Sequence, residues 1–394
     1  MNGNSALDYR DSYVTPFGQK YWSTNIALGG GTLCWWALTP RMGPKDFKMR
    51  SDFGVGVDWP LSYFDVAPYY RDAERIMSIS GPDDLEVRYP GTAPYPQSAH
   101  RISTPDEIIK RDHPDLHFAI PSARLRTPLN GRVACCSSSK CNLCPVDAKF
   151  NFLNSMMDII LTENTSTLVG AQVTSLDIEG STVKSVVYEH GGKEYIAHGD
   201  MVVLGANAIQ SPFILMQSGY THPVLGKYLH EKLPAMFEVM LDGVDAFDGG
   251  QASTGINYSM YDSADRTQYG AATLYTENRW VDGLRTEYGR WRQVLPILVV
   301  VEDIPQETNY VAQGDGKQPF VDHPGWSPYA HKGLEVAESK LASVLKSLPI
   351  ESITLSRMPE TNAHIQGTLR MGDDPATSIV DKNLVHHKIR NLTC

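Results

Sequence analysis

Residues 200–219, DMVVLGANAIQSPFILMQSG, restrict the fold more than any other stretch of the chain. An apolar strand runs to Gly205, a tight Ala-Asn-Ala turn follows, and a helix begins at once. A buried strand that feeds a helix through small residues is how doubly wound sheets present a cofactor crevice. The pattern needs a large body around it. With 394 residues, 42% of them hydrophobic, the chain is long enough for two domains, because single cores stop growing at about 250–300 residues.

Charge and hydropathy exclude two classes of partner. The net charge is -10, and Lys and Arg are scattered among more numerous acids, which argues against nucleic acid as the main ligand. The longest apolar run, VLPILVVV at 294–301, falls far short of the roughly 20 residues of a spanning helix, and its β-branched content predicts a buried strand. Residues 1–22 contain neither a basic nor an apolar signal region.

Periodicity predicts the other elements. Residues 58–80 read as a helix with Pro68 near its start and an apolar stripe of Tyr69, Ala73, Ile76 and Met77. Residues 81–133, rich in Pro, Gly, Asp and Arg, read as irregular. A further helix is expected over 147–164, with Phe152, Met156, Ile159 and Ile160 on one face. Three strand-like pieces follow between 167 and 198, the last two joined at Gly191-Gly192, a hairpin signal. Residues 236–330 suggest a mostly antiparallel sheet. The clearest amphipathic helix spans 333–348, with Leu334, Ala337, Leu341, Leu345 and Leu348 on one side.

Six segments, in order and over nearly the whole chain, carry a resemblance: ALGGGTLCWW, DWPLSYFDVAPYYRDAE, MVVLGANAIQSPFILMQSG, GKYLHEKLP, EDIPQETNYV and HIQGTLRMGDDPATSIVDKNLVHHKIRNL. Together they resemble the glucose-methanol-choline (GMC) flavoprotein oxidoreductases, and within that family the bacterial FAD-dependent sugar and polyol dehydrogenases. The resemblance implies an α/β fold with a discontinuous FAD-binding domain (1–80, 145–235 and 360–394). An irregular cysteine-bearing segment (81–144) and an antiparallel-sheet substrate domain (236–359) complete it.

The resemblance also implies a chemistry. Such enzymes remove a hydroxyl proton from an alcohol and pass hydride to flavin N5, so a base must stand near that hydroxyl, and histidine suits because its ordinary pKa lies near working pH. The H-x-x-G-T pattern places the base at His364, with Gly367 and Thr368 turning the backbone beneath the flavin and Arg370, Asp373, Asp374 and Asp381 bracing the turn. His386 and His387 are expected in solvent. In the glycine loop, Gly29 and Gly30 allow close approach to the flavin and Thr32 is expected to hydrogen-bond near it. Cys34 stands where some relatives carry a histidine joined to the flavin; here that linkage is closed, and a thioether is chemically conceivable. Val173 matches a position at the adenine, and Ala206 and Asn207 match the turn near the ribose. All three are also ordinary strand or turn residues. Trp35 and Trp36 read as packing or pocket wall.

Cys135, Cys141 and Cys144, with Cys136 as alternate, form C-C-x4-C-x2-C-P. Three readings are open: an iron-sulfur cluster, a disulfide or free-thiol loop, and zinc. The related glucose dehydrogenases carry a three-iron cluster in a similar motif with a longer last gap. A cluster would relay electrons to a cytochrome partner. By the same resemblance, a periplasmic location beside a small export subunit is expected.

A G-x-G-x-x-G phosphate loop is missing from the sequence, and so is the family's second catalytic side chain after His364. The expectation is a chain truncated at both ends, lacking a βαβ start of about 30 residues or more. Its loss would expose apolar strand surface. The reading that follows is an FAD-dependent dehydrogenase of a sugar, polyol or related alcohol. An O2-using oxidase and an inactive remnant are its alternatives.

Overall fold

The computed structural model describes residues 12–91, 94–139, 141–279, 289–358 and 364–394. The first long helix, α1 (Tyr63–Met77), starts where Ser62 and Asp65 cap each other's backbone. It stops at Ser78, which adopts a left-handed conformation. Its buried face differs from the expected stripe. Tyr63, Ala67 and Glu74 point inward, whereas Tyr69 and Ile76 are exposed. The reason is electrostatic: Glu74 is drawn inside by a bidentate pair with buried Arg41, at 2.7 Å on both oxygens. Pro68 lies inside the helix rather than in its first turn.

The segment expected to be irregular contains a helix, α2 (Thr104–Asp112), built on a Ser103–Asp106 capping box with Pro105 in its first turn. The short strand β1 (His117–Ala119) comes next. By contrast, the long helix expected over 147–164 is two single turns, Phe152–Ser155 and Met157–Ile160, broken where Met156 takes φ -130°.

The three predicted strands form an antiparallel meander: β2 (Ala171–Glu179), β3 (Thr182–His190) and β4 (Lys193–Ala197). The run at 200–219 folds into a strand, turn and helix, but the strand β5 (Val202–Val203) is only two residues long and Val203 is exposed rather than buried; the helix is α3 (Asn207–Gln217). Leu176, Val183, Ile214, Leu215, Ile379 and Leu392 pack these parts into one core.

The second core sits on a six-stranded antiparallel sheet. Its strands are β1, β6 (Leu233–Leu241), β7 (Ser253–Met260), β8 (Ala272–Glu277), β9 (Val294–Val301) and β10 (Ile350–Arg357), in the order β10-β6-β9-β8-β7-β1. The apolar run at 294–301 is an interior strand, as its composition predicts. Helix α4 (Pro328–Val344) lies across it, burying Ala330, Ala337 and Leu341 against Val299, Val301 and their neighbours. The last strand, β11 (Leu392–Thr393), pairs with β5 in parallel. Met201 and Val203 are exposed. Among the described residues, no helix is long and apolar enough to cross a membrane.

Helix α4 approaches the sheet closely because of one glycine. A Cβ on Gly333 would stand 2.4 Å from the Gly270 carbonyl oxygen and 2.7 Å from Val301. Gly333→Ala therefore destabilises the fold by about 1–3 kcal/mol through overpacking, outweighing the roughly 1 kcal/mol that alanine contributes in a helix. A lower denaturant midpoint is the expected readout, and an unchanged or higher one contradicts this packing.

Candidate active site

The loop bearing His364 is fixed by the backbone of residues 226–230. His230 N donates to Gln366 O at 3.1 Å, and Gly226 N donates to Thr368 O at 3.0 Å. Gly367 sits between these contacts with φ +102°, and a Cβ there would meet the Tyr228 oxygen at 2.0 Å. Only glycine fits both the angle and the space. Buried Thr368 turns its hydroxyl onto Ala208 O at 2.6 Å. The structure thereby brings the H-x-x-G-T segment to the turn at Ala206 and Asn207.

His364 itself is more than half exposed, and it rests on a buried carboxylate. Its Nδ1 lies 3.0 Å from Glu231 Oε1, its backbone N 3.3 Å from the same oxygen, and Lys232 Nζ also reaches Nδ1. The second carboxylate oxygen of Glu231 accepts from Lys20 Nζ at 2.6 Å. Against the cost of burial, the His364 hydrogen bond and the charges of Lys20 and Lys232 hold the Glu231 carboxyl down at about 2. Burial draws the Lys232 ammonium down to about 8 despite the pull of Glu231. Lys20 also lies 3.7 Å over the ring of buried Trp22. Glu231 and the two lysines are the residues sequence reasoning missed. The GKYLHEKLP segment was in view, but a glutamate flanked by lysine and histidine reads as a solvated face.

The glycine loop takes the expected backbone, with Gly29 at φ +97° and Gly30 at +51° opening a 3-10 turn over Gly30–Leu33. Thr32 uses its hydroxyl locally, donating to Gly29 O at 2.5 Å and accepting from Phe152 N at 3.0 Å. Cys34 is exposed. Trp35 packs, donating its ring N–H to Phe150 O at 2.9 Å. Asn207, at φ +63°, uses its side-chain oxygen to accept from Ile209 N at 2.8 Å and Gln210 N at 3.2 Å, so it caps α3. Val173 lies on β2 opposite Tyr188. The glycine loop and the turn before α3 both leave room for a flat group. Nothing stands within 4 Å of a Cβ placed on Gly30, Gly31 or Gly205. The residues present thus fit a cofactor that lies against backbone.

Beyond the base, the C-terminal knot is structural. Asp374 and Asp381 accept backbone N–H bonds from Ala376 and Asn383, both at 2.8 Å, and Arg370 stacks on Tyr228. His386 departs from the solvated expectation. It is fully buried, its Nδ1 accepts from Lys388 N and Ile389 N, and burial lowers its pKa to about 4. His387 is half-buried, with Nε2 against Ser378 Oγ and Gly372 O.

The cysteine segment is a loop of free thiols. All six cysteines are unpaired, which agrees with the free-thiol form of the second reading. Among the described residues no three His, Cys, Asp or Glu side chains are placed to share a metal ion, so the iron-sulfur and zinc readings of Cys135, Cys136, Cys141 and Cys144 gain no support. Cys141 is buried and Cys136 exposed, and burial pushes the Cys135 and Cys141 thiols up. Lys149 organises the loop. Its buried ammonium bonds Leu33 O, Trp35 O, Cys141 O and Asn142 O at 2.8–3.2 Å, tying the glycine loop to the cysteine loop.

A histidine on a buried carboxylate, held against a strand-turn-helix and an antiparallel sheet, is an arrangement suited to an oxidoreductase. Residues 19–233 and 325–394 match the GMC oxidoreductase family, and the chain belongs to it. It is similar to the fructose dehydrogenase large subunit of Gluconobacter japonicus, 25% identical over 93% of this chain and 74% of that protein. Among solved structures it resembles pyridoxine 4-oxidase from Mesorbium loti (TM-score 0.63, 16% identity, 94% of this chain and 79% of that one). It also resembles a variant of Aspergillus oryzae RIB40 formate oxidase made to study FAD modification (TM-score 0.60, 14% identity, 98% and 83%).

Two outcomes follow from these contacts. Lys149→Met leaves four carbonyls without their donor and costs about 3 kcal/mol or more in urea unfolding; a loss below about 1 kcal/mol would show that water replaces the ammonium. Glu231, held below its ordinary range in the folded chain, contributes stability that is complete above its unfolded pKa and is lost as pH falls toward about 2. The stability gap between wild type and Glu231→Gln is therefore expected to narrow between pH values of roughly 5 and 2.

Proposed function

We propose that this chain is part of an FAD-dependent dehydrogenase that oxidises a CH–OH group of a sugar, polyol or related alcohol, with His364 as the base. The observation that carries the reading is the His364–Glu231 contact, an exposed imidazole backed on Nδ1 by a buried ionised carboxylate at 3.0 Å. Such backing on Nδ1 can orient the ring so that Nε2 serves as the acceptor. FAD, when bound, supplies the hydride acceptor. The chain's own residues supply the rest. Gly30, Gly31 and Gly205 would present bare backbone to the cofactor, Gly367 holds the loop close, and His364 Nε2 takes the hydroxyl proton.

Similarity to a fructose dehydrogenase large subunit supports a dehydrogenase with a non-oxygen electron acceptor and a companion subunit. The likeness to pyridoxine 4-oxidase and formate oxidase favours a second reading, in which O2 is the acceptor. Artificial dyes and peroxide detection separate the two. With fructose, glucose and polyols as trial substrates, His364→Asn lowers dye-linked kcat by about 100-fold or more while leaving flavin absorbance in place. A rate within a factor of two of wild type removes His364 from the chemistry.

A further inference from the structure

Two oppositely charged neighbours contend for one nitrogen of His364. Nδ1 lies 3.0 Å from Glu231 Oε1, and Lys232 Nζ lies within bonding reach of the same atom. A neutral imidazole has one N–H and one lone pair. Nδ1 can therefore donate to Glu231 or accept from an ammonium on Lys232, and it cannot do both. The two arrangements are opposite tautomers. Donation to Glu231 leaves the lone pair on Nε2, the competent form of a base. Acceptance from Lys232 puts the proton on Nε2 and disables it.

Geometry favours Glu231. Its side chain has 0% exposure, whereas that of Lys232 keeps 22% and can turn to water. Lys20 holds Oε2 at 2.6 Å, so the carboxylate cannot swing away from the ring. Oε1 receives the His364 backbone N–H at 3.3 Å, and Lys232 lies 3.5 Å from it; without the ring N–H this buried oxygen would have no short hydrogen bond. We propose that Glu231 is the positioning residue of this site, fixing His364 with the proton on Nδ1 and the lone pair on Nε2. The proposal rests on the reading of His364 as the base.

Among the described residues, the other ionisable groups facing this pair are Lys20 and Lys232, both cationic, and His230 and His323, whose pKa values burial lowers.

The test reads the ring directly. Two-bond 1H–15N spectra of the full chain labelled with 15N-histidine report which nitrogen carries the proton, and loss of one signal set in His364→Gln assigns it. The expected wild-type pattern at neutral pH is protonated Nδ1 and bare Nε2. In Glu231→Gln the Nε2–H form grows to at least half the population. Glu231→Asp restores part of the wild-type tautomer. An unchanged tautomer in Glu231→Gln overturns the proposal. Should that variant fail to fold, Lys232→Met asks the same question with the carboxylate intact. Protonated Nδ1 supports the proposal there, and protonated Nε2 defeats it. Failure of the function reading shows elsewhere, as dye-linked turnover that survives His364→Asn while these spectra stay as expected.

Discussion

The buried carboxylate of Glu231 holds together parts of the chain that are far apart in sequence. Lys20 reaches it across 211 residues and His364 across 133. A buried charge is tolerable only when opposite charges and hydrogen bonds replace the lost water. Here two ammoniums and an imidazole do so. Glu231 precedes β6 by two positions, so its backbone inherits the rigidity of a strand paired on both sides. The position of the loop at 364–368 follows from that strand, through the bonds of His230 and Gly226 to Gln366 and Thr368. Lys20, held over Trp22, closes the arrangement from the opposite end of the chain.

The parts legible in the sequence share one property: their signal is local. The strand at 294–301, the hairpins around residues 180 and 191, the strand-turn-helix at 202–217 and the amphipathic helix near 333 each declare themselves through neighbours in the chain. So did the Ser103-Thr-Pro-Asp106 cap, which went unread because the surrounding composition was taken for a loop. What could not be read were buried charges. Glu74 turns α1 toward Arg41, Glu231 sits beneath His364, and Lys149 lies within what pattern alone makes a helix. Each owes its burial to partners supplied by the fold, and no spacing rule sees them. His386 failed for the same reason, since its acceptor role depends on the backbone of the turn it closes.

The cysteine loop is shaped by the buried cations that surround it. Arg124, Arg132 and Lys149 are all buried nearby, and positive charge would ordinarily favour thiolates. Much of their hydrogen bonding goes to backbone, although Arg124 also donates to Gln251 Oε1 at 3.0 Å and its charge does pull on Cys135 and Cys141. Arg132 donates to Met77 O, Ala123 O and Ala148 O, Arg124 to Trp36 O, and Lys149 to four carbonyls. Carbonyl dipoles solvate the ammonium and guanidinium groups, and burial then dominates the thiols, raising Cys135 and Cys141. The same burial lowers Arg132 to about 10 even though Cys144 opposes the shift. The loop is held by its main chain, and its sulfurs are passengers in that scaffold.

A base that serves an outside substrate must meet two opposed demands, accessibility and fixed orientation. His364 meets them by dividing its ring. Its side chain keeps 58% exposure, while the carboxylate behind Nδ1 keeps none. Orientation comes from the side that water does not reach, where a hydrogen bond to a charged group is strongest. Accessibility belongs to the other nitrogen. Were Glu231 exposed as well, solvent would weaken its grip and the ring would be free to turn. Were His364 buried as well, desolvation would depress its pKa, as it does for His323 and His386 in this same fold. The boundary between sheet and solvent therefore passes through a single imidazole, and this placement would give the base we propose at His364 both access and a fixed orientation.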